Sequence, residues 1–300
     1  MGRPDYEIFF GQGIGDDLLC GTVAHELKKR GARRIVMFSK YPSLFEHNSD
    51  VATVYDYGYL TVGRLRRWGY ACVVPQFNTY DAELDRDIFP DEHLLATMCR
   101  IAGMTGSIEL RTYMTLLAGE KKAGRLFEKQ AVIQSSGLAV GPGVMKNKDW
   151  FPERYQAVSD QLGSRLGMIQ LGQTTDPPIQ GALDLRGKTS LRESAAILAS
   201  SRVFVGQVGF LMHLARAVDC RSVIVYGGRE NPLVSGYRAN ENVVGRTTCS
   251  PCWQRNKCDY GHECMRMIEP PEVVAAVLRQ LEREGTPLEV EQVTLDSKGT

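Results

Sequence analysis

The chain has 300 residues, enough for one large domain or two of ordinary size, and its 36 basic side chains nearly balance 35 acidic ones. A formal net charge of +1 argues against a general polyanion binder, which carries a basic excess. The apolar content is 43%, and no apolar run approaches the roughly 18 residues of a membrane span, so the composition is that of a soluble globular protein. The opening MGRPDYEIFF lacks the basic segment and long apolar core of a secretory signal, and Tyr6 stands where a myristoylation pattern needs Ser or Thr. The expected location is the cytoplasm.

Tyr6 to Phe10 reads as a strand. The stretch FGQGIGDDLLCG follows, then Leu19, Val23 and Leu27, with Cys20 and Ala24, form an apolar stripe at helical spacing. Gly31 stops that helix and RRIVMFS is the next buried strand, so the order is a βαβ unit with a parallel sheet. YACVVPQF reads as a later strand of the same sheet, and residues 91–119 as mostly helical with interruptions at Gly103 and Gly106.

After the charged GEKKAGRLFEKQ a second alternating series begins. Strand AVIQ precedes a helix marked by Phe151, Tyr155, Val158, Leu162 and Leu166. Strand GMIQL, helix SLRESAAILASS, strand RVFVG, helix LMHLARAV and strand RSVIVYGG complete it, and a helix built on Val273, Val274, Val277, Leu278 and Leu281 closes the fold. The expectation is an α/β protein of two Rossmann-like, doubly wound domains facing a cleft: residues 1–125, residues 126–280, and a polar tail 281–300 whose last roughly 16 residues are loose. Open α/β sheets bind ligands beyond the carboxyl ends of their strands, so each domain would present a site to that cleft.

Four segments carry candidate chemistry. The Gly-rich turn before Asp16 and Asp17 lacks both the third glycine of a dinucleotide fingerprint and the lysine of a phosphate loop. One acid is expected to serve the helix start, a role given to Asp17, which leaves the Asp16 carboxylate open toward the cleft. In VFVGQVGFLMHLARAV the Gly206–Gly209 turn would expose backbone amides to a phosphate, with His213 either reaching the same anion or sitting satisfied in the core. In KNKDWFPER, Lys146 and Lys148 are either surface lysines or the means of neutralising a diphosphate. The fourth segment, CSPCWQRNKCDYGHEC, groups Cys249, Cys252, Cys258 and Cys264, whereas Cys20, Cys72, Cys99 and Cys220 are scattered in apolar contexts as small buried hydrophobes. Four thiolates on a short loop can close a tetrahedral structural metal shell. The alternatives are two disulfides, disfavoured in a reducing compartment, or unliganded thiols.

Together, GIGDDLLCGTVAHELKKRG, KDWFPERYQAV, DLRGKTSLRESAAILASSRVFVG and GFLMHLARAV, continuing into VIVYGG, resemble glycosyltransferase family 9, the heptosyltransferase family, over about residues 7 to 280. The cysteine-rich segment is similar to that of the autotransporter heptosyltransferases, where such cysteines hold iron. The resemblance implies a GT-B fold, inverting transfer from a nucleoside-diphosphate sugar to an acceptor hydroxyl on a glycan, protein or small molecule, and no catalytic metal. By position it makes Asp16 the general base, Lys148 a donor-diphosphate contact and His213 the histidine of the nucleotide-sugar loop. Ser135, Gly206 and Gly209 complete the expected donor-binding set, and iron or zinc is expected at the four cysteines. Val208 stands where the family has an acidic residue and Phe210 where a glycine is common, which bears on the donor sugar. A nucleotide-sugar epimerase or hydrolase, or a non-catalytic nucleotide-sugar scaffold, is the alternative reading. The sequence leaves self-association open.

Overall fold

A computed structural model of the chain describes residues 4–9, 13–56, 61–67, 72–89, 91–136, 139–140 and 143–296. In the first half β1 (Tyr6–Phe9) and β2 (Ile35–Ser39) pair in parallel across helix α1 (Ile14–Lys29), and β3 (Thr53–Asp56) extends the sheet in parallel beyond β2. β2 is buried along its length, as expected of an apolar strand covered on both faces. YACVVPQF reaches this sheet only through a parallel bridge of Val73 to Ile8, with residues 68–71 outside those described. Helix α2 (Val62–Arg67) and the hairpin β4 (Thr79–Asp81)–β5 (Arg86–Ile88) follow.

Residues 91–119 are not mostly helical. Within this range α3 (Leu94–Ile101) is the one helix before residue 118; Gly103 and Gly106, at φ 80° and 81°, turn the chain into strand β6 (Gly106–Glu109), and 110–117 has no regular structure. Ile108, Leu110, Thr112, Met114 and Leu116 are buried in strict alternation, the two-residue period of an extended segment rather than a helix.

The second half begins at α4 (Ala118–Gly124), which packs on a later helix so closely that a methyl at Gly124 would fall 2.1 Å from the carbonyl oxygen of Ala196. Strand β7 (Gln130–Ile133), the short hairpin β8 (Ala139–Val140)–β9 (Gly143–Val144), α5 (Pro152–Leu162), β10 (Gly167–Gln170) and β11 (Leu183–Asp184) come next. Helix α6 (Leu191–Ser200) opens with a reciprocal cap: Glu193 N–H donates to Ser190 Oγ at 3.2 Å, and Ser190 N–H to Glu193 Oε2 at 2.7 Å. Strand β12 (Val203–Gln207), α7 (Phe210–Ala217), β13 (Ser222–Val225), α8 (Pro232–Ser235), β14 (Glu241–Val243), α9 (Glu263–Arg266) and α10 (Pro270–Glu282) complete this half.

Its six strands run in the order β11-β10-β7-β12-β13-β14, all parallel. The chain builds outward from β7 in one direction and returns to build outward from β12 in the other. The crevice past the ends of β7 and β12 is thus the topological switch point where such sheets take ligands. One face is filled by Trp150, Tyr155, Val158 and Leu162 against Val273, Ala276 and Val277 of α10. The other face is continuous with the first half: Leu18, Leu19 and Val23 of α1 share one core with Leu211, Met212, Leu214 and Ala215 of α7.

The polar tail is not loose throughout. Strand β15 (Gln292–Leu295) pairs antiparallel with β6, burying Leu295 and tying the C-terminal segment back to the first half. The four scattered cysteines are buried free thiols, as expected.

Candidate active site

The N-termini of α1 and α7 face each other across the junction of the two halves. A methyl at Gly15 would stand 3.6 Å from Phe210 Cα and 3.7 Å from His213 Cδ2. The backbone at Gly13 is extended (φ −91°, ψ 163°) and Gly15 is helical, so neither needs left-handed backbone; Phe10, Gly11 and Gln12 lie outside the described residues. Asp16, not Asp17, serves the helix start. Gly13 N–H donates to Asp16 Oδ2 at 2.9 Å, so Asp16 turns one oxygen back on the helix start. Asp17 is buried and accepts from Ser39 Oγ at 2.5 Å, serving the core rather than the cap. Loss of solvent pushes the Asp16 carboxyl up to about 6, against the opposing pull of Gly13 N–H and Lys148, while Asp17 and Asp87 push it further up. A half-buried carboxylate with such a value is ionised at neutral pH and basic enough to take a proton.

On the facing side, Gly206 lies inside β12, paired with Ile224, and a methyl there would come within 2.5 Å of the Phe204 ring. Its smallness serves the packing of the sheet, and the expected phosphate turn is reduced to Val208 and Gly209. Gly209 is the N-cap of α7, without a side-chain cap, and a methyl on it would meet nothing within 4 Å. The first amides of α7 thus have no side-chain cap, and uncapped amides at a helix start can hold an anion.

His213, one turn in, is buried. Its Nδ1 is 2.6 Å from Tyr237 Oη, and its carbonyl accepts from Thr112 Oγ1 at 2.6 Å. Burial, helped by Lys148 and His93, depresses its pKa to about 3. His213 is therefore neutral at physiological pH: it can offer a hydrogen bond to a phosphate but no charge.

A positive charge stands nearby on Lys148. This lysine closes the short 3₁₀ turn Lys146–Lys148, and its ammonium sits 2.7 Å from Glu230 Oε1 while acting electrostatically on both Asp16 and His213. Lys146, its neighbour in that turn, is exposed. Glu230 is buried and held well below the usual carboxylate range, at about 2: burial opposes ionisation, but Lys148, Arg229 and the Ser235 hydroxyl outweigh it. Arg229 bridges Glu230 to Asp87 of the β4–β5 hairpin, and Asp87 also takes Arg255 Nη2 at 2.6 Å. A chain of ion pairs thus crosses from one half to the other directly behind Lys148. Sequence reading missed Glu230, Arg229 and Asp87. The adjacent opposite charges in GGREN, straight after a buried strand, were a usable sign for the first two; nothing local marked Asp87.

Ser135 reaches the expected strand end, but its hydroxyl faces the interior. It donates to Pro177 O at 2.5 Å and accepts from Gln170 Nε2 at 2.8 Å. The side chain is spent on a buried network that fixes the loop after β10.

The four clustered cysteines are free, half-buried thiols lining one cavity together with Asn147, Arg229, Thr247, Gln254 and His262. Among the described residues, no group of three or more His, Cys, Asp or Glu side chains stands at metal-ligating spacing. Backbone N–H groups do point at sulfur: His262 to Cys258 Sγ at 3.2 Å, Gln254 to Cys252 and Gly228 to Cys264. Burial raises the thiol pKa of Cys252 and of Cys264. The loop does not stand apart from the site. Asp85 accepts from the N–H groups of Asn256 and Lys257 at 2.7 and 2.8 Å, and Trp253 stacks on Phe89 at 4.2 Å.

Two parallel α/β units with facing helix N-termini, a carboxylate at one and no side-chain cap at the other, have the two-unit layout of the GT-B fold. Residues 117–262, from the start of α4 through three of the four clustered cysteines, match the family model of glycosyltransferase family 9 (heptosyltransferase). The fold matches a glycosyl transferase family 9 structure from Veillonella parvula at a TM-score of 0.71 and 15% identity, covering 95% of this chain and 99% of that one. It matches the E. coli ADP-heptose LPS heptosyltransferase II at 0.67 and 14% identity (93% and 99% covered). The iron-containing dodecameric glycosyltransferase TibC from enterotoxigenic E. coli matches at 0.65 and 18% identity, with 94% of this chain and 76% of that one covered. No curated protein matches the chain by sequence.

Proposed function

We propose that this glycosyltransferase moves a heptose or related sugar, with inversion, from a nucleoside-diphosphate donor in the second half to an acceptor hydroxyl over α1. The observation that carries the reading is the convergence of Asp16, Lys148 and the uncapped start of α7 on one crevice. The acceptor oxygen attacks the anomeric carbon as the bond from that carbon to the diphosphate oxygen breaks. Its proton passes to the free oxygen of Asp16, and the leaving diphosphate takes its neutralisation from Lys148 and the α7 amides. Neutral His213 adds a hydrogen bond. Gly206 and Ser135 support the crevice from behind, through the packing of β12 and the bonds of the Ser135 hydroxyl, and leave the direct donor contacts to Gly209, Lys148 and His213.

Val208 is buried and apolar, so an acidic contact to a sugar hydroxyl is absent at that position. The donor sugar is accordingly a heptose relative that does not need one. The reading is tested by a thermal-shift panel of nucleoside diphosphates and their sugars, followed by turnover with and without acceptor. A ligand at 100 times its dissociation constant adds roughly 2.7 kcal/mol. Donor breakdown independent of any acceptor supports the hydrolase or epimerase alternative; donor binding without turnover supports a scaffold.

The four clustered cysteines fit a structural iron or zinc ion. They share one cavity, they are unpaired, and backbone N–H groups approach three of the sulfurs, as thiolate ligands require. A bound ion there would supply a tetrahedral cross-link that holds the loop's shape. TibC is described as iron-containing, which supports iron. Elemental analysis of untagged protein is expected to find about one equivalent per chain. All eight cysteines being free suits the reducing cytoplasm, and no helix among the described residues is long and apolar enough to cross a membrane.

A further inference from the structure

Resting on the assignment of Lys148 to the donor diphosphate, we infer that Asn147 is a positioning residue that registers the turn carrying Lys148 onto the cysteine loop. Asn147 is 4% exposed, and its N–H and both polar atoms of its side-chain amide are used. Its N–H donates to Arg255 O at 3.0 Å, and its Nδ2 donates to Gln254 O at 3.2 Å and Lys257 O at 2.7 Å. Its Oδ1 lies 2.9 Å from His262 Nε2. The preceding residue adds a bond from Lys146 N–H to Asn256 Oδ1 at 3.1 Å. Every one of these partners lies between Cys252 and Cys264.

The ammonium end of Lys148 is tied to the same loop by another route. Cys252 N–H and Trp253 N–H donate to Gly228 O and Arg229 O at 3.2 and 3.0 Å, and Arg229 Nε donates back to Gln254 O at 2.9 Å. Glu230, next in the chain, holds Lys148 Nζ. The lysine is therefore bracketed, backbone and side chain, by one loop, residues 252–264. A lysine alone has four rotatable side-chain bonds, and displacements of about 1 Å at a reacting group cost on the order of 10²-fold. Fixing its backbone is what Asn147 contributes. An asparagine needed only for packing would not place both faces of its amide on three separate points of another segment.

The test is a double-mutant cycle read by titration calorimetry with inorganic pyrophosphate, which presents the diphosphate without base or sugar. Asn147→Ala is expected to weaken pyrophosphate binding roughly tenfold in the otherwise native chain, and to change nothing further in a Lys148→Ala background. His262→Gly removes one bond to Asn147 at a position whose φ of 59° glycine accepts. It is expected to give a few-fold weakening that also vanishes in the Lys148→Ala background, and it keeps the test available if Asn147→Ala does not fold. Equal weakening in both backgrounds, or none in either while Lys148→Ala itself weakens binding, overturns the positioning role. Native affinity in Lys148→Ala overturns the donor assignment beneath it.

Discussion

The β1–α1 and β12–α7 junctions are the same supersecondary unit, a buried parallel strand feeding a helix through a glycine, yet they face the crevice with opposite chemistry. At α1 an acidic side chain bends back on Gly13 and keeps a raised pKa of about 6. At α7 no side chain caps the helix, and the nearby histidine is neutral. The difference teaches that the same backbone unit can start a helix with or without a side-chain cap, and the proposed function uses the first as a proton acceptor and the second as an anion holder.

The largest effect should come from filling the first junction with a non-basic group. General-base catalysis supplies roughly 10² to 10⁴ in rate, so Asp16→Asn is expected to lose that much turnover with donor affinity within a few-fold of native. Asp17→Asn is expected to show itself first in the melting curve, because Asp17 bonds Ser39 in the core. Equal turnover losses in both, tracking lost stability, would erase the contrast between the two acids.

Next in size is the vacant junction. A charge-assisted bond to phosphate is worth about 1.5–3 kcal/mol, so Lys148→Ala should weaken nucleoside diphosphate binding roughly 10- to 150-fold by calorimetry, with Lys146→Ala near native.

The pH profile sharpens the comparison further. Asp16 must be ionised to accept a proton, so turnover should fall as pH drops through about 6, and this limb should be missing from the residual activity of Asp16→Asn. A raised carboxyl pKa means the fold prefers the protonated acid. The contributions of Asp16 and Asp17 to stability therefore rise as pH falls through about 6, so the activity limb is separable from unfolding by a melting curve. His213, with its pKa at about 3, should add no limb between pH 6 and 8.

The smallest effect expected on the donor belongs to Ser135. Ser135→Ala deletes one buried hydroxyl and should cost about 1–3 kcal/mol of stability while leaving diphosphate affinity within twofold. A tenfold affinity loss would restore Ser135 to the donor contacts.

Much of the second half was legible because each of its elements is written locally. Helices at a 3.6-residue period alternate with short apolar strands, and Ser190 with Glu193 even marks the start of α6. Where local patterns are ambiguous the reading failed. The spacing of Ile108, Leu110, Met114 and Leu116 fits helix or strand over a short span, and only the antiparallel partner β15, far along the chain, settles the matter. Asp16 and Asp17 are neighbours whose roles depend on which one the helix turns inward, and the helix begins at Ile14, earlier than the acids suggested.

The sequence by itself determined the alternation of strands and helices, the two βαβ series, the presence of an acid and a lysine at helix starts, and the grouping of four thiols. These depend on spacing within a turn or two of chain, where side-chain periodicity and cap chemistry act. Tertiary structure alone decided that Lys148 answers to Glu230, that Asp87 locks Arg229 across the halves, and that Asn147 meets residues 254–262. Those partners are separated by about 80 to 140 positions. Their pairing arises only when burial of a shared apolar core brings the segments together, and the desolvated charges must then find one another.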